Sequence, residues 1–538
     1  MRLKLVSLMV IALLTGCQTT ILQHQTKQHK SIESSSKGLN SESSQDHADS
    51  IVLSEDDNSK LGQDTVSPVP EPKVIVYKDI WKRIAATMTF KVPVHNARVR
   101  SQLNWFIRHP RYLQRVSKRA SPYIYWVVNQ LKQRNMPVEL ALLPVIESAY
   151  DPFAYSHGQA SGMWQIIPDT AKHLGLRENW WYDGRRDIAA STTAALDYLE
   201  WLNKLFNGNW LNAIAAYNSG QGRVLDAIRY NRKHHRSTDF WSLHLPSETE
   251  AYVPRLLALC EVVKHPEKYH IKLPTIDNEP YLQSVNIGSQ IDLALAAKLA
   301  GINLKTLYLL NPGFNRWATD PNGPHRLLIP DSRVDRFKSA LRALPSNKLI
   351  QWKRHKVVDG DTLNKIAFKY QTTVNMLLHI NHLKGNMIRI GQHLLVPIST
   401  RNPTQYILSE TQRLAQIQSR ERGPIKLHYT VRPGDTLWDI GREYHISYKK
   451  LARWNGLSPK DALHRGQNLV IWQRSAGTKG ITRKIVYEVH PGDSLSVIAN
   501  KFNVHISDLI KWNDLNRHGY LQPGQKLNVY VNITRLNV

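Results

Sequence analysis

Cysteine is scarce in this sequence: Cys17 and Cys260 are the only two in 538 residues. No disulfide framework can hold the fold together, so stability has to come from hydrophobic cores. An apolar run does occur from Leu5 to Leu14, but a membrane-spanning helix needs about twenty such residues. There is no Gly-rich phosphate loop and no cluster with metal-ligand spacing. With 27 Gly and 27 Pro and no period, a collagen-like chain is excluded. Acidic residues are in the minority, 43 against 71 Lys and Arg, for a formal net charge of +28. What is present is ordinary globular material, 42% hydrophobic and 21% charged, which excludes a wholly disordered chain. The length allows about three to five folded units. The basic surface attracts polyanions: nucleic acid, anionic lipid or an acidic glycan polymer. Fifteen Trp hint at ligands that stack on rings.

The first residues indicate a compartment. Arg2 and Lys4 precede the Leu5–Leu14 run, as in a signal peptide. The run ends Leu14-Thr15-Gly16-Cys17, which resembles the bacterial lipobox. That resemblance implies removal of residues 1–16, a lipid on Cys17 and, with Gln18 rather than Asp next, sorting to the outer membrane with the body facing the periplasm. Cys260 would then have no intrachain partner, and Leu256-Leu257-Ala258-Leu259 before it mark it as a small core residue. An exported basic protein meets envelope glycan or lipid, so nucleic acid is not expected as a partner. Residues 17–75 are polar, rich in Gln, Ser, His and Asp, and read as a disordered tether. Order is expected from about Val76.

From 76 to 272 the pattern is helical. Asp187 to Leu202 and Leu211 to Ala216 carry apolar residues at three-to-four spacing, without alternating strand runs. The second half repeats itself. Gly360, Gly434 and Gly492 each precede an Asn by the same interval, at Asn381, Asn455 and Asn513, and then Gly391-Gln392, Gly466-Gln467 and Gly524-Gln525 follow. Each unit reads as a strand, a Gly turn, two short helices and a strand. The Asp after the Gly is placed to cap the first helix; Leu437, Ile440 and Tyr444 form its inner face. These units, at 353–399, 426–473 and 484–531, resemble LysM modules, which bind N-acetylglucosamine-containing glycans. In the first, Asp359 replaces the Pro of the others. A degenerate copy spans 281–331, without the Gly-Asp pair; glycan binding and packing against the helical domain are both open to it. Thr400 to Pro424 and Arg474 to Arg483 read as polar linkers. Spacers would also fit the modules, but several copies suit avidity on a polymer.

The segment Pro137 to Tyr150 carries the chemistry. Helical phase puts Glu147 on the face of Leu140 and Leu143, where loss of water raises a carboxyl pKa and a helix C-terminus acts in the same direction. A glycosidic general acid needs such a group. Taken alone, the segment favours a Glu whose head simply reaches solvent at the helix end. Downstream lie Ser156, Gly162-Met163-Trp164-Gln165, Ala216-Tyr217-Asn218-Ser219-Gly220 and Glu250-Ala251-Tyr252-Val253-Pro254. With Glu147-Ser148 they resemble the soluble lytic transglycosylase family, whose catalytic domain is all-α and goose-type lysozyme-like. Together with the lipobox and LysM units, the chain is similar to membrane-bound lytic murein transglycosylases. The resemblance implies that Glu147 is the single catalytic acid/base. It places Ser156, Met163, Gln165, Tyr217, Asn218 and Tyr252 on the substrate, with Ser156 bonding near Glu147 or the N-acetyl group and Tyr252 reaching toward Glu147 or the reacting sugar. Gly158 stands where some members have a second Ser. The implied partner is peptidoglycan, bound by a membrane-anchored monomer, with no cofactor and no metal. Hydrolysis would need a second carboxylate; Asp151 and Asp169 are the nearby candidates. A non-catalytic glycan-binding scaffold is the remaining alternative.

Binding driven by the basic surface should weaken with salt, because the Debye length falls from about 10 Å at 0.1 M to about 3 Å at 1 M. Pelleting with purified sacculi is expected to decrease over that range; salt-independent pelleting would rule out a charge contribution.

Overall fold

The computed structural model describes residues 76–473, 482–502, 504–516 and 521–532, all within one unit that runs from Ile75 to Val538. The signal peptide, Cys17 and the tether expected at 1–75 lie outside the described residues, as do 474–481 of the second linker.

From 76 to 272 the described residues form no strand. Long helices at Ala97–Arg108, Ile188–Leu205, Trp210–Ser219 and Ser247–Lys264 surround a single core. Asp187 starts the second of these by accepting from the Ala190 N–H, and Asn209 starts the third through Asn212. Helix Ser247–Lys264 is buried from Tyr252 to Pro254 and again from Leu256 to Val263, including Cys260. Such an all-round apolar helix can exist only in a core. The run expected as one helix around Glu147 is broken into a 3₁₀ turn, Val138–Leu142, and an α-helix, Leu143–Ser148. Pro144 explains the break: it has no N–H for an i→i−4 bond and is tolerated in a first turn.

Beyond 281 the described residues make four two-stranded antiparallel sheets. In the second full repeat, Ile425–Thr430 pairs with Asn468–Gln473, Tyr429 opposite Leu469, around helices Leu437–Glu443 and Tyr448–Trp454. The Asp after the Gly does not cap the helix. Thr436 does, accepting from Asp439 N–H at 3.1 Å. Asp435 instead closes the turn, accepting from the Arg432 N–H at 2.7 Å and the Tyr429 hydroxyl at 2.6 Å. Asp493 does the same with the His490 N–H and the Tyr487 hydroxyl, and Asp361 with the Val358 N–H and the His355 ring in place of a Tyr. Gly434, at φ +85°, supplies the left-handed residue that turn needs.

The repeated Asn is the staple of each unit. Asn455 donates to Leu451 and Val470 carbonyls and accepts from the Val470 N–H, tying helix to strand. Asn381 and Asn513 are wired identically. So is Asn311 in the degenerate copy, where Leu282–Asn286 pairs with Arg326–Pro330. That copy packs on the helical domain. Trp181 and Tyr182 enter its core, Arg326 pairs with Asp187 at 2.7 Å, and the Tyr123 hydroxyl donates to Leu309 O at 2.8 Å. An additional helix, Val334–Arg342, buries Val334 and Phe337 against it.

The linker expected at Thr400–Pro424 is structured rather than loose. It contains the helix Glu410–Ser419, a strut whose polar surface hid it from a search for apolar periodicity. Glu410 pairs with Arg316 at 2.8 Å, Arg413 lies over the Phe153 ring at 4.5 Å, and Gln418 donates to the Asn455 side chain at 2.9 Å.

Replacing Asn455 by Ala would leave the Val470 N–H and two buried carbonyls unpaired, at about 1–3 kcal/mol for each orphaned group. Hydrogen exchange at Leu469–Ile471 is expected to accelerate at least tenfold while exchange in helix Ser247–Lys264 stays unchanged; retained protection would mean the staple is dispensable.

Candidate active site

Glu147 sits one residue before the end of helix Leu143–Ser148, half-buried at the base of a cleft of about 730 Å³. The chain leaves that helix through two left-handed residues, Ala149 and Tyr150. The buried Tyr150 hydroxyl anchors the turn by donating to Ala141 O at 2.7 Å. Ser148 donates to Met163 O at 2.9 Å, which ties the Glu147 helix to the 150–167 loop.

That loop is built around Gly162. At φ +79°, a Cβ there would lie 2.1 Å from Arg185 O, so glycine alone fits. Next to it Trp164 is fully buried and donates its Nε1–H to Thr192 at 3.0 Å. Gln165 follows at φ +49°, its amide donating to Gly162 O at 2.8 Å. Gln165 and Ser156 both line the cleft. Ser156 does not touch Glu147; its Oγ accepts from the N–H groups of Gly158 and Ala160 at 3.1 and 3.0 Å and shapes the loop. Met163 is not in the cleft. It is 1% exposed and part of the core, so its contribution is the carbonyl that holds Ser148.

Two helices supply the opposite side. Tyr217, from Trp210–Ser219, donates to Trp164 O at 2.8 Å; neighbouring Asn218 accepts from the Thr249 hydroxyl at 2.7 Å. Tyr252, from Ser247–Lys264, donates its hydroxyl to Glu147 Oε1 at 2.5 Å. The expected partnership of Tyr252 with Glu147 is therefore in place, and five of the six expected substrate contacts converge on one cleft.

Burial pushes the Glu147 carboxyl up to about 7. The Tyr252 hydrogen bond opposes the rise and the charge of Glu248 adds to it. A carboxyl that is half-protonated near neutral pH can give a proton and then take one. Burial also raises both Tyr217 and Tyr252, which therefore stay neutral donors. Asp151 and Asp169 are not among the cleft-lining residues; Asp151 accepts from the Phe153 N–H. The second carboxylate on the cleft wall is Glu248, exposed at the start of its helix. Tyr198 also lines the cleft, stacked on the exposed Trp201 at 5.9 Å and 12° and donating to Gln221 at 3.1 Å. Two aromatics three apart on a helix share a face; that spacing was the available signal for them. Among the described residues no group of three His, Cys, Asp or Glu is placed to hold a metal.

Comparison with known proteins fits this geometry. Residues 124–240 match the Transglycosylase SLT domain, 281–346 the LysM-like domain of lytic transglycosylase MltD, and 355–397, 429–472 and 487–529 the LysM domain. The molecule is thus a lytic transglycosylase with a helical catalytic domain and LysM modules. Membrane-bound lytic murein transglycosylase D of Escherichia coli K12 is 36% identical over 455 residues, 84% of this chain and 86% of that one. The chain belongs to that family. A putative tributyltin chloride resistance protein of an Alteromonas species is 40% identical over 176 residues, 32% of this chain and 83% of its own. Among solved structures, the 70 kDa soluble lytic transglycosylase of E. coli is 26% identical over 26% of this chain and 24% of that one, at a TM-score of 0.21.

A step in which Glu147 donates its proton fades as pH rises through about 7. Tyr252→Phe removes a bond that favours the carboxylate, so the alkaline fall in kcat/KM is expected to move to higher pH. Glu248→Gln removes a repelling charge and is expected to move the fall to lower pH. Profiles that coincide with wild type would show that Glu147 is not the titrating acid.

Proposed function

We propose that the chain cuts the β-1,4 bond from N-acetylmuramic acid to N-acetylglucosamine in peptidoglycan without consuming water, leaving 1,6-anhydro ends. The supporting observation is the half-buried Glu147 carboxyl, pushed up to about 7 and held by Tyr252. Protonated Glu147 gives its proton to the bridging oxygen as the bond from muramic acid C1 breaks, and the N-acetyl oxygen assists at C1. The carboxylate then takes the proton of the C6 hydroxyl, whose oxygen closes on C1. One group acts as acid and then as base, and it ends the cycle protonated. Glycosidases that place water use a carboxylate pair; here the second nucleophile is part of the substrate.

In this reading residues 76–272 cut. The units at 353–399, 426–473 and 484–531 hold the glycan, and 281–331 joins them to the cutting domain. Residues 1–16 form a signal peptide and Cys17 carries the lipid, so a monomer hangs from the outer membrane into the periplasm. The name of the E. coli relative, membrane-bound, supports that placement.

Glu248 on the cleft wall supports a second reading, in which it activates water and the enzyme is a muramidase. Mass spectrometry of muropeptides released from sacculi separates the two. Wild type is expected to give 1,6-anhydro ends, Glu147→Gln to lose activity by about 1,000-fold or more, and Glu248→Gln to keep the anhydro product. Ends carrying an added water, lost in Glu248→Gln, would establish the muramidase.

A further inference from the structure

The second repeat touches the catalytic cleft through one loop. Ser458 and Asp461 lie between helix Tyr448–Trp454 and strand Asn468–Gln473. Asp461 accepts from the Tyr155 hydroxyl at 2.9 and 3.1 Å and from the Gln159 amide at 2.6 Å. Ser458 donates to the His157 carbonyl. All these partners belong to the 155–160 loop, which carries Ser156 and Ala160 into the cleft wall. The loop's other bonds lie mostly within itself: the Ser156 N–H donates to Ala160 O at 2.9 Å, the Gln159 N–H to Ser156 O at 3.1 Å, and the Ser156 Oγ accepts from Gly158 and Ala160; from outside, Arg185 donates to Gln159 O at 3.1 Å.

Among the described residues, this contact is made by the second repeat and not by the first. Asp461 stands six residues after the staple Asn455. The same offset from Asn381 in the first repeat gives Met387, which is 87% exposed. The module fold therefore does not require an acid there. The strut Glu410–Ser419, bonded to Arg316 and Asn455, holds the repeat where Asp461 can reach.

We propose that Asp461 is a positioning residue for the reaction: it clamps the Tyr155–Ala160 loop and so completes the substrate wall of the cleft, which makes the second repeat a working part of the catalytic site. An ionised carboxylate only accepts, and here it meets three donors: the Tyr155 hydroxyl, the Gln159 amide and, within its own loop, the Ser458 N–H at 2.8 Å. An Asn of the same shape would turn an NH₂ toward them. The loop would then sample positions in which Ser156 and Ala160 no longer meet the sugar. The cost falls on binding, because Glu147 and Tyr252 are anchored elsewhere.

The inference rests on the glycan-cleaving reading above. Its test uses the full chain, Asp461→Asn, Tyr155→Phe and the double variant, with soluble peptide-free peptidoglycan oligosaccharides as substrate. Tyr155→Phe removes the hydroxyl's bond to Asp461 without touching the module and leaves the Gln159 and Ser458 contacts in place. Each single variant is expected to lower kcat/KM roughly tenfold through KM, as for loss of a charge-assisted bond. The double variant should be no worse than the poorer single, and the alkaline fall set by Glu147 should not move. Sacculus pelleting should match wild type. Wild-type kcat/KM in Tyr155→Phe, or losses that multiply in the double variant, would overturn the clamp. Rates are counted as bonds cut, so hydrolytic ends would defeat the transglycosylase reading and leave this comparison intact. Hydrogen exchange at Gly158 and Ala160 needs no catalysis at all: faster exchange in both variants supports the clamp, and unchanged exchange overturns it.

Discussion

Keeping water away from one carboxyl is the constraint that organises the rest of the helical domain. In the proposed reaction Glu147 has to be close enough to the cleft to meet a sugar and dry enough to hold a proton near pH 7. The buried helix Ser247–Lys264 satisfies both needs by packing its apolar length into the core and presenting Tyr252 at its cleft end. The arrangement works against the fold. A carboxyl raised in the native state contributes stability that is complete below its ordinary value near 4.5 and is lost as pH climbs through about 7. The protein therefore retains a destabilised group where the proposed chemistry requires one, a trade-off common at active sites.

The repeats were legible because their signals are local and each has one physical cause. Gly434 turns left-handed, Asn455 staples helix to strand, and the interval between them is set by two short helices. The role of the Asp after the Gly was not legible. Asp435 and Thr436 are adjacent and both suit an N-cap; the choice depends on the Tyr429 hydroxyl reaching back across the turn. Glu147 stood out in sequence only beside its companions, since an apolar phase alone does not show whether a carboxyl meets water. Met163 misled for the converse reason. It lies within a motif whose backbone serves the site while its side chain serves the core. Glu248 and Tyr198 reach the cleft through packing of distant helices, which a single helix's pattern does not encode.

The degenerate copy shows how a module can take on an interface without changing its framework. Asn311 keeps the staple bonds, so the β-α-α-β unit survives. Its core then admits Trp181 and Tyr182 from the catalytic domain and the buried Tyr406 from beyond the next module. Large aromatic side chains dominate such interfaces because each removes much apolar area from water. The unit has become a shared wall rather than a separate bead.

The strut Glu410–Ser419 bears on how a polymer would be handled. A flexible linker gives a second binding site only an effective concentration, spread over every distance the linker can span. A packed helix replaces that distribution with one spacing, and its ordering entropy is spent when the protein folds rather than each time substrate binds. A strand engaged by both the cleft and the second repeat would be measured against a fixed length, so the protein would act on its substrate as a caliper does, with a preferred step between the place where it grips and the place where it cuts.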